Sequence, residues 1–137
     1  MIKVFCAERG SGKTKRLIQL ANEHSINAKG DSVYIDDDSR VMMQLKRGIR
    51  FITTGDFYIN DCDSFYGLLC GLISQNYDTE NIYVDGLSEI TKCSIRDHHS
   101  LFKKIEMLTK KFNLNIYINV NCEDLDSIPK FIEGYIA

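Results

Sequence analysis

Apolar positions along this chain recur at two spacings, every second residue in short runs and every third or fourth in longer ones, the pattern of strands interleaved with helices. Ile2, Val4 and Phe5 open the chain as a strand. A helix is predicted from about Gly12 to Ile26, with Leu17, Leu20, Ala21 and His24 along one face and Ala28, Lys29 and Gly30 closing it. Ser32 to Asp36 and Ile49 to Thr54 read as strands separated by a short helix-like stretch around Val41 to Leu45. Asn60 or Asp61 is placed to cap a helix in which Phe65, Leu68, Leu69, Leu72 and Ile73 recur at helical spacing and so face the core.

Ile82 to Asp85 follows as a buried strand with a carboxylate at its end. Residues 95 to 112 form a helix carrying Leu101, Ile105, Leu108 and Phe112 inward, with Asn113 as its stop. In the next strand Leu114, Ile116, Ile118 and Val120 alternate with Asn115, Tyr117 and Asn119. One of its faces is therefore more polar than a fully buried strand would be, which points to a sheet edge. The tail from Asp124 to Ala137 reads as one short helix, starting at Asp124 or Ser127, and a final extended piece. Strand–helix alternation without internal repeats or linkers predicts an α/β fold over residues 1–137 as a single domain, with a mainly parallel sheet of about five strands and helices on both faces.

Composition narrows the partners. The net charge is −2 and the cations are scattered; the pairs Lys103/Lys104 and Lys110/Lys111 fall on the outer face of a helix, where solvation accounts for them. Both features argue against nucleic acid. Five cysteines, an odd number without C-x-x-C spacing, read as reduced thiols. With no signal-peptide pattern and no apolar run of membrane-spanning length, a cytoplasmic protein without a membrane partner is expected. Cys93, His98 and His99 lack a fourth ligand at suitable spacing, which argues against a metal held there.

Residues 7 to 14, Ala-Glu-Arg-Gly-Ser-Gly-Lys-Thr, match the Walker A phosphate-loop pattern G-x-x-x-x-G-K-[ST] except for Ala7 at its first position. Glycines at 10 and 12 let backbone N–H groups turn inward around phosphate oxygens. Lys13 would reach the β- and γ-phosphates, Thr14 would place its hydroxyl on Mg²⁺, and the helix start adds partial positive charge. The candidate nucleotide-contacting set is Ala7, Gly10, Ser11, Gly12, Lys13, Thr14 and Lys15. Asp85, at the end of a buried strand expected to lie next to the loop strand, joins Thr14 as the metal-side group. The plainer alternatives are a glycine-rich strand-to-helix turn for the loop, and an aspartate capping the turn through Gly86.

On these residues the chain resembles the RecA-like branch of P-loop NTPases, from Ile2 to about Asn121. The resemblance implies a three-layer P-loop NTPase fold with a RecA-like core, ATP as ligand or substrate, and Mg²⁺ as cofactor. Ile35-Asp36-Asp37-Asp38 is similar to the family's Ile-Asp-x-Glu, which would give Asp38 the water-orienting role beside Lys13 in catalysis. Asp38 is one methylene shorter than that glutamate, and a solvated turn opening the next segment is the alternative for the three aspartates. Ile116 to Asn119 is similar to the family's following strand, although Val120 stands where a polar γ-phosphate sensor is expected, leaving Asn119 or Asn121. The chain is also similar to short bacterial ATP-binding P-loop proteins sometimes labelled twitching-motility ATPases. Recombinase function does not follow, since no counterpart of the further strands and DNA-contacting loops is found.

Three functions remain open. The first is a slow or partner-stimulated ATPase acting as a switch or accessory protein, with an arginine supplied by a second copy or a protein partner. The second is a nucleoside-type small-molecule kinase, although Gly86 rather than glutamate follows Asp85 and the lid candidate, Thr91 to His99 with Arg96, is short. The third is a non-hydrolysing, nucleotide-responsive binding module.

Overall fold

The computed structural model describes residues 1–137, the side chain of Leu125 excepted. Five strands, β1 (Ile2–Ala7), β2 (Asp31–Asp36), β3 (Ile49–Thr53), β4 (Thr79–Asp85) and β5 (Asn115–Asn121), form one sheet. All pairs are parallel, in the order β1-β5-β4-β2-β3. Parallel neighbours cannot be joined by a tight hairpin, so each connection must cross a face of the sheet. The helices are α1 (Lys13–Asn27), α2 (Cys62–Gln75), α3 (Leu87–Thr91), α4 (His99–Phe112) and α5 (Lys130–Glu133).

Both faces are covered. Leu17, Ile18 and Ala21 of α1 pack on Tyr34, Ile49, Tyr83 and Tyr117, and Val41 and Leu45 from the β2–β3 crossover join them. Opposite, Phe65 and Leu69 of α2, Leu87 and Ile90 of α3, and Leu101 and Ile105 of α4 pack on Val33, Ile35, Ile82, Val84, Ile116 and Ile118. Burial on two sides explains why the central strands read as nearly continuous apolar runs. Among the described residues no helix is long and apolar enough to cross a membrane.

Two sequence expectations change. The strand expected at an edge, β5, lies inside the sheet between β1 and β4. Its polar-looking side is buried because the α1 face of this sheet is aromatic and polar: Tyr117 stacks on Tyr83 at 5.1 Å between ring centroids, and Asn119 is 1% exposed. For the same reason the strand of Asp85 is not adjacent to the loop strand. β5 separates them, and the edges are β1 and β3. Beyond α5 the chain lies along β1, where Tyr135 O accepts from Val4 N at 2.7 Å and Ile136 bridges Val4, occupying part of an otherwise open edge.

Local chemistry sets the boundaries. Asp61, rather than Asn60, caps α2, accepting from Ser64 N at 2.7 Å in a reciprocal capping box. Asn113 ends α4 at φ 55. The helix expected from residue 95 is instead a 3-10 turn, Ile95–His98, followed by α4. His98 is buried there, its Nε2 2.7 Å from Thr91 Oγ1.

Candidate functional site

The loop between β1 and α1 has the conformation its glycines permit. Gly10 and Gly12 lie at φ +82 and +88, and a Cβ at either would meet open space, so backbone torsion rather than crowding requires glycine. Ser11 N donates to Glu8 O at 3.2 Å across the turn. Gly12 is the N-cap of α1 and supplies no side-chain cap, which leaves the first helical N–H groups available to a ligand. The first turn contains Lys13, Lys15 and Arg16 and no acidic residue, the reverse of what a helix N-terminus favours. Lys13 is only 8% exposed, and its Nζ folds back to donate to Glu8 O at 2.8 Å. A half-helix of cations on a positive dipole end calls for an anion.

The facing wall comes from the two-residue period of the strands. Phe51, Tyr34, Tyr83 and Tyr117 pair in register across β3, β2, β4 and β5 and form a stacked aromatic row, with centroids 5.8, 6.3 and 5.1 Å apart. Two residues further along their strands, on the same face, stand Asp36, Asp85 and Asn119. The aromatic row is thus the floor behind a polar row at the carboxyl ends of the strands, the usual ligand-binding edge of an open α/β sheet.

Three donors converge on Asp85. Thr14 Oγ1 and Asn119 Nδ2 each donate to Oδ1 at 3.2 Å, and the Tyr34 hydroxyl donates to Oδ2 at 2.9 Å. Burial, reinforced by the Asp85 charge, pushes the Tyr34 phenol far above its ordinary range, so it stays a donor. Asp36, 8% exposed, is pushed up to about 8, chiefly by burial, then by the side chain of Asp37 and the charge of Asp85; the Asp37 N–H, 2.7 Å from Oδ1, opposes this. Among the described residues nothing donates to Asn119 Oδ1, which is buried. A hydroxyl, a carboxylate and a free amide oxygen form a hard donor set that suits Mg²⁺.

Between the walls lies a cavity of about 870 Å³, within the usual range for a ligand pocket. Of the residues singled out from the sequence, Gly10, Gly12, Lys13, Thr14, Lys15 and Asp85 line it, whereas Ala7, Ser11 and Asp38 do not. Asp38 turns to Arg40 instead, pairing with its guanidinium at 2.8 Å and accepting its N–H at 3.0 Å. That N–H, with the guanidinium, holds the Asp38 carboxyl below its ordinary range. Asp36 and Asp37 are the members of the triplet that border the cavity. Val120 belongs to the opposite, aliphatic face of β5, so Asn119 and Asn121 are the polar groups at its end. Cys93, His98 and His99 do not converge: His98 bonds Thr91, and the His99 ring lies 5.0 Å from that of Phe131.

Sequence reasoning passed over Tyr34, Arg9 and Glu89. Tyr34 had a signal, since it lies two residues before Asp36 on one strand face. Glu89 lies on α3, one turn beyond Asp85, where Leu87, Ile90 and Thr91 are buried and anchor the helix. Its Oε1 accepts from Arg9 Nη2 at 3.2 Å and from Asn121 Nδ2. Its Oε2 lies over Gly86, and among the described residues has no partner although buried. Arg9 and Asn121 are distant in sequence, so nothing local announces this contact. Compared with known proteins, the chain matches no family model and no curated protein.

Proposed function

We propose that this chain is a P-loop, RecA-like nucleotide-binding protein that binds Mg·ATP and hydrolyses it slowly or with a partner's help, acting as a switch or accessory protein in the cytoplasm. The observation that carries the reading is the positive-φ pair Gly10 and Gly12 leading into a cation-rich helix start, with Thr14 held 3.2 Å from Asp85 on the opposite wall. Lys13, now bonded to a loop carbonyl, would exchange that neutral acceptor for a phosphate oxygen. Thr14 and Asp85 would hold Mg²⁺, with Asn119 Oδ1 accepting from one of its waters. When bound, the ion neutralises phosphate charge.

A thermal-shift panel of ATP, GTP and ADP, with and without Mg²⁺, on wild type and Lys13→Ala, tests the reading. A ligand at a hundred times its Kd adds ~2.7 kcal/mol to stability. With an unfolding entropy of about 2.1 cal/mol/K per residue, 137 residues convert this to an upward shift of roughly 9 °C. Lys13→Ala should lose most of it. If no nucleotide at millimolar concentration shifts the wild type, the proposal is wrong. Phosphate appearing in water rather than on an added nucleoside separates the ATPase from a kinase.

A further inference from the structure

Asp38, the candidate the sequence offered for handling the attacking water, does not line the cavity and is tied to Arg40, which does. Glu89 is differently placed. The turn at Gly86, φ +78, brings α3 back over the end of β4, and a Cβ at position 86 would lie 3.0 Å from Glu89 Oε2. That oxygen therefore sits close against the glycine turn, immediately beyond Asp85. The other oxygen accepts from Asn121 of β5 and from the exposed Arg9 of the phosphate loop. One carboxylate oxygen has partners and the other, among the described residues, is buried without a donor, a costly state unless a ligand or water completes it.

Position along the nucleotide follows from Lys13. Its Nζ donates to Glu8 O at the β1 end of the loop, and on the nucleotide-binding reading a terminal phosphate would take the place of that carbonyl. Arg9 is the next residue, and it is the one that touches Glu89. Asp36 stands on the other side of Asp85, on β2, whereas Glu89 and Asn121 stand on the β5 side. We propose that Glu89 is a catalytic residue whose Oε2 orients and deprotonates the water that attacks the γ-phosphoryl group, an inference that rests on the nucleotide-binding reading above. In this step the water oxygen forms a bond to Pγ, the bond from Pγ to the β,γ-bridging oxygen breaks, and that electron pair leaves with the diphosphate. The water proton passes to Oε2 and then to solvent.

The test is single-turnover hydrolysis of ATP by wild type, Glu89→Gln and Glu89→Asp, alongside the Kd of a non-hydrolysable ATP analogue and chromatographic identification of the nucleotide retained after incubation. A positioned general base contributes about 100-fold or more, so Glu89→Gln should lose that much rate. The analogue Kd should stay within threefold, and Glu89→Gln should retain triphosphate where wild type retains diphosphate. Glu89→Asp, which keeps the charge but withdraws the oxygen by one methylene, should lose tenfold or more. A rate loss under tenfold in Glu89→Gln overturns the assignment, as does abolition of hydrolysis by Asp38→Asn but not by Glu89→Gln. Wild type that binds the analogue but leaves ATP intact also overturns it while the binding reading stands. Wild type that binds neither removes both.

Discussion

Replacing Asp36 by asparagine should flatten the pH dependence of stability between pH 6 and pH 8. Asp36 lies 8% exposed between Asp37 and Asp85, and its carboxyl is pushed from an ordinary 3.8 up to about 8, first by burial. Between those two values the folded state keeps a proton that the unfolded chain releases. Stability is therefore lost as pH rises from about 4 toward 8, and levels off above it. The interval is roughly four pH units, and at ~1.4 kcal/mol per unit the ceiling on the loss is ~6 kcal/mol. A single group with these values loses ~2.3 kcal/mol between pH 6 and pH 8. Because the Asp37 side chain and the Asp85 charge contribute to the Asp36 shift alongside burial, about 1–2 kcal/mol is the amount to look for. Asparagine resembles the protonated acid and still accepts the Asp37 N–H, so the variant should lack this slope and be the more stable protein at pH 8. Urea unfolding of both proteins at pH 6, 7 and 8 measures it. His98, which burial holds below its ordinary value, adds stability as pH rises, but it does so in both proteins and cancels in the difference. Parallel stability curves for the two proteins would refute the reasoning.

Two further outcomes bear on how the site is supported. Tyr34→Phe keeps the stack between Phe51 and Tyr83 but leaves Asp85 Oδ2 without its donor, so urea unfolding should show a loss of about 1–3 kcal/mol with unchanged far-UV circular dichroism. Gly30→Ala, at the opposite end of the sheet, would put a Cβ 2.2 Å from Asp78 O and 3.0 Å from Glu80 Cβ; backbone must move, and a loss of about 1–3 kcal/mol with nucleotide affinity unchanged is expected from denaturant titration.

The strands and the longer helices were legible because each signal was local, whereas α3 was not anticipated and the tail helix starts at Lys130 rather than at Asp124 or Ser127. Apolar spacing located all five strands, Asp61 was one of the two residues expected to cap α2, and the phosphate loop is contiguous. Strand order was not legible. The alternation of Asn115, Tyr117 and Asn119 with aliphatic residues suggested an edge because polar residues usually mean solvent. In this sheet they mean the α1 face, where Tyr117 stacks on Tyr83 and Asn119 bonds Asp85. A repeated offset within single strands carried the missing information: Tyr34 with Asp36, Tyr83 with Asp85, and Tyr117 with Asn119 each place an aromatic two residues before a polar strand end. Three strands with the same offset imply one face with an aromatic floor and a polar rim. The choice of Asp38 over Asp36 went the other way, since a family pattern outweighed the period-two rule that puts Asp36, with Tyr34, on that face. Glu89 was beyond reach of either signal, because its meaning depends on Arg9 and Asn121, which only the fold brings to it.

On the proposed function, the charge distribution favours one ligand that serves both walls. Arg9, Lys13, Lys15 and Arg16 crowd the loop and the helix start, while Asp37, Asp85 and Glu89 crowd the strand ends and α3. The direct bridge between loop and α3 is the Arg9–Glu89 pair, and with Arg9 82% exposed it contributes little. Lys13 bonds a carbonyl, and Asp85 is satisfied by neutral donors. A bare anion would satisfy the loop but be repelled by the carboxylates; a bare cation would satisfy the carboxylates but be repelled by the loop. A metal–polyphosphate complex presents an anion to the first and a cation to the second in one body, at the place where Thr14 already joins the two walls. That complementarity, rather than the phosphate-loop residues alone, is why Mg²⁺ and nucleotide should stabilise this protein together more than either does separately.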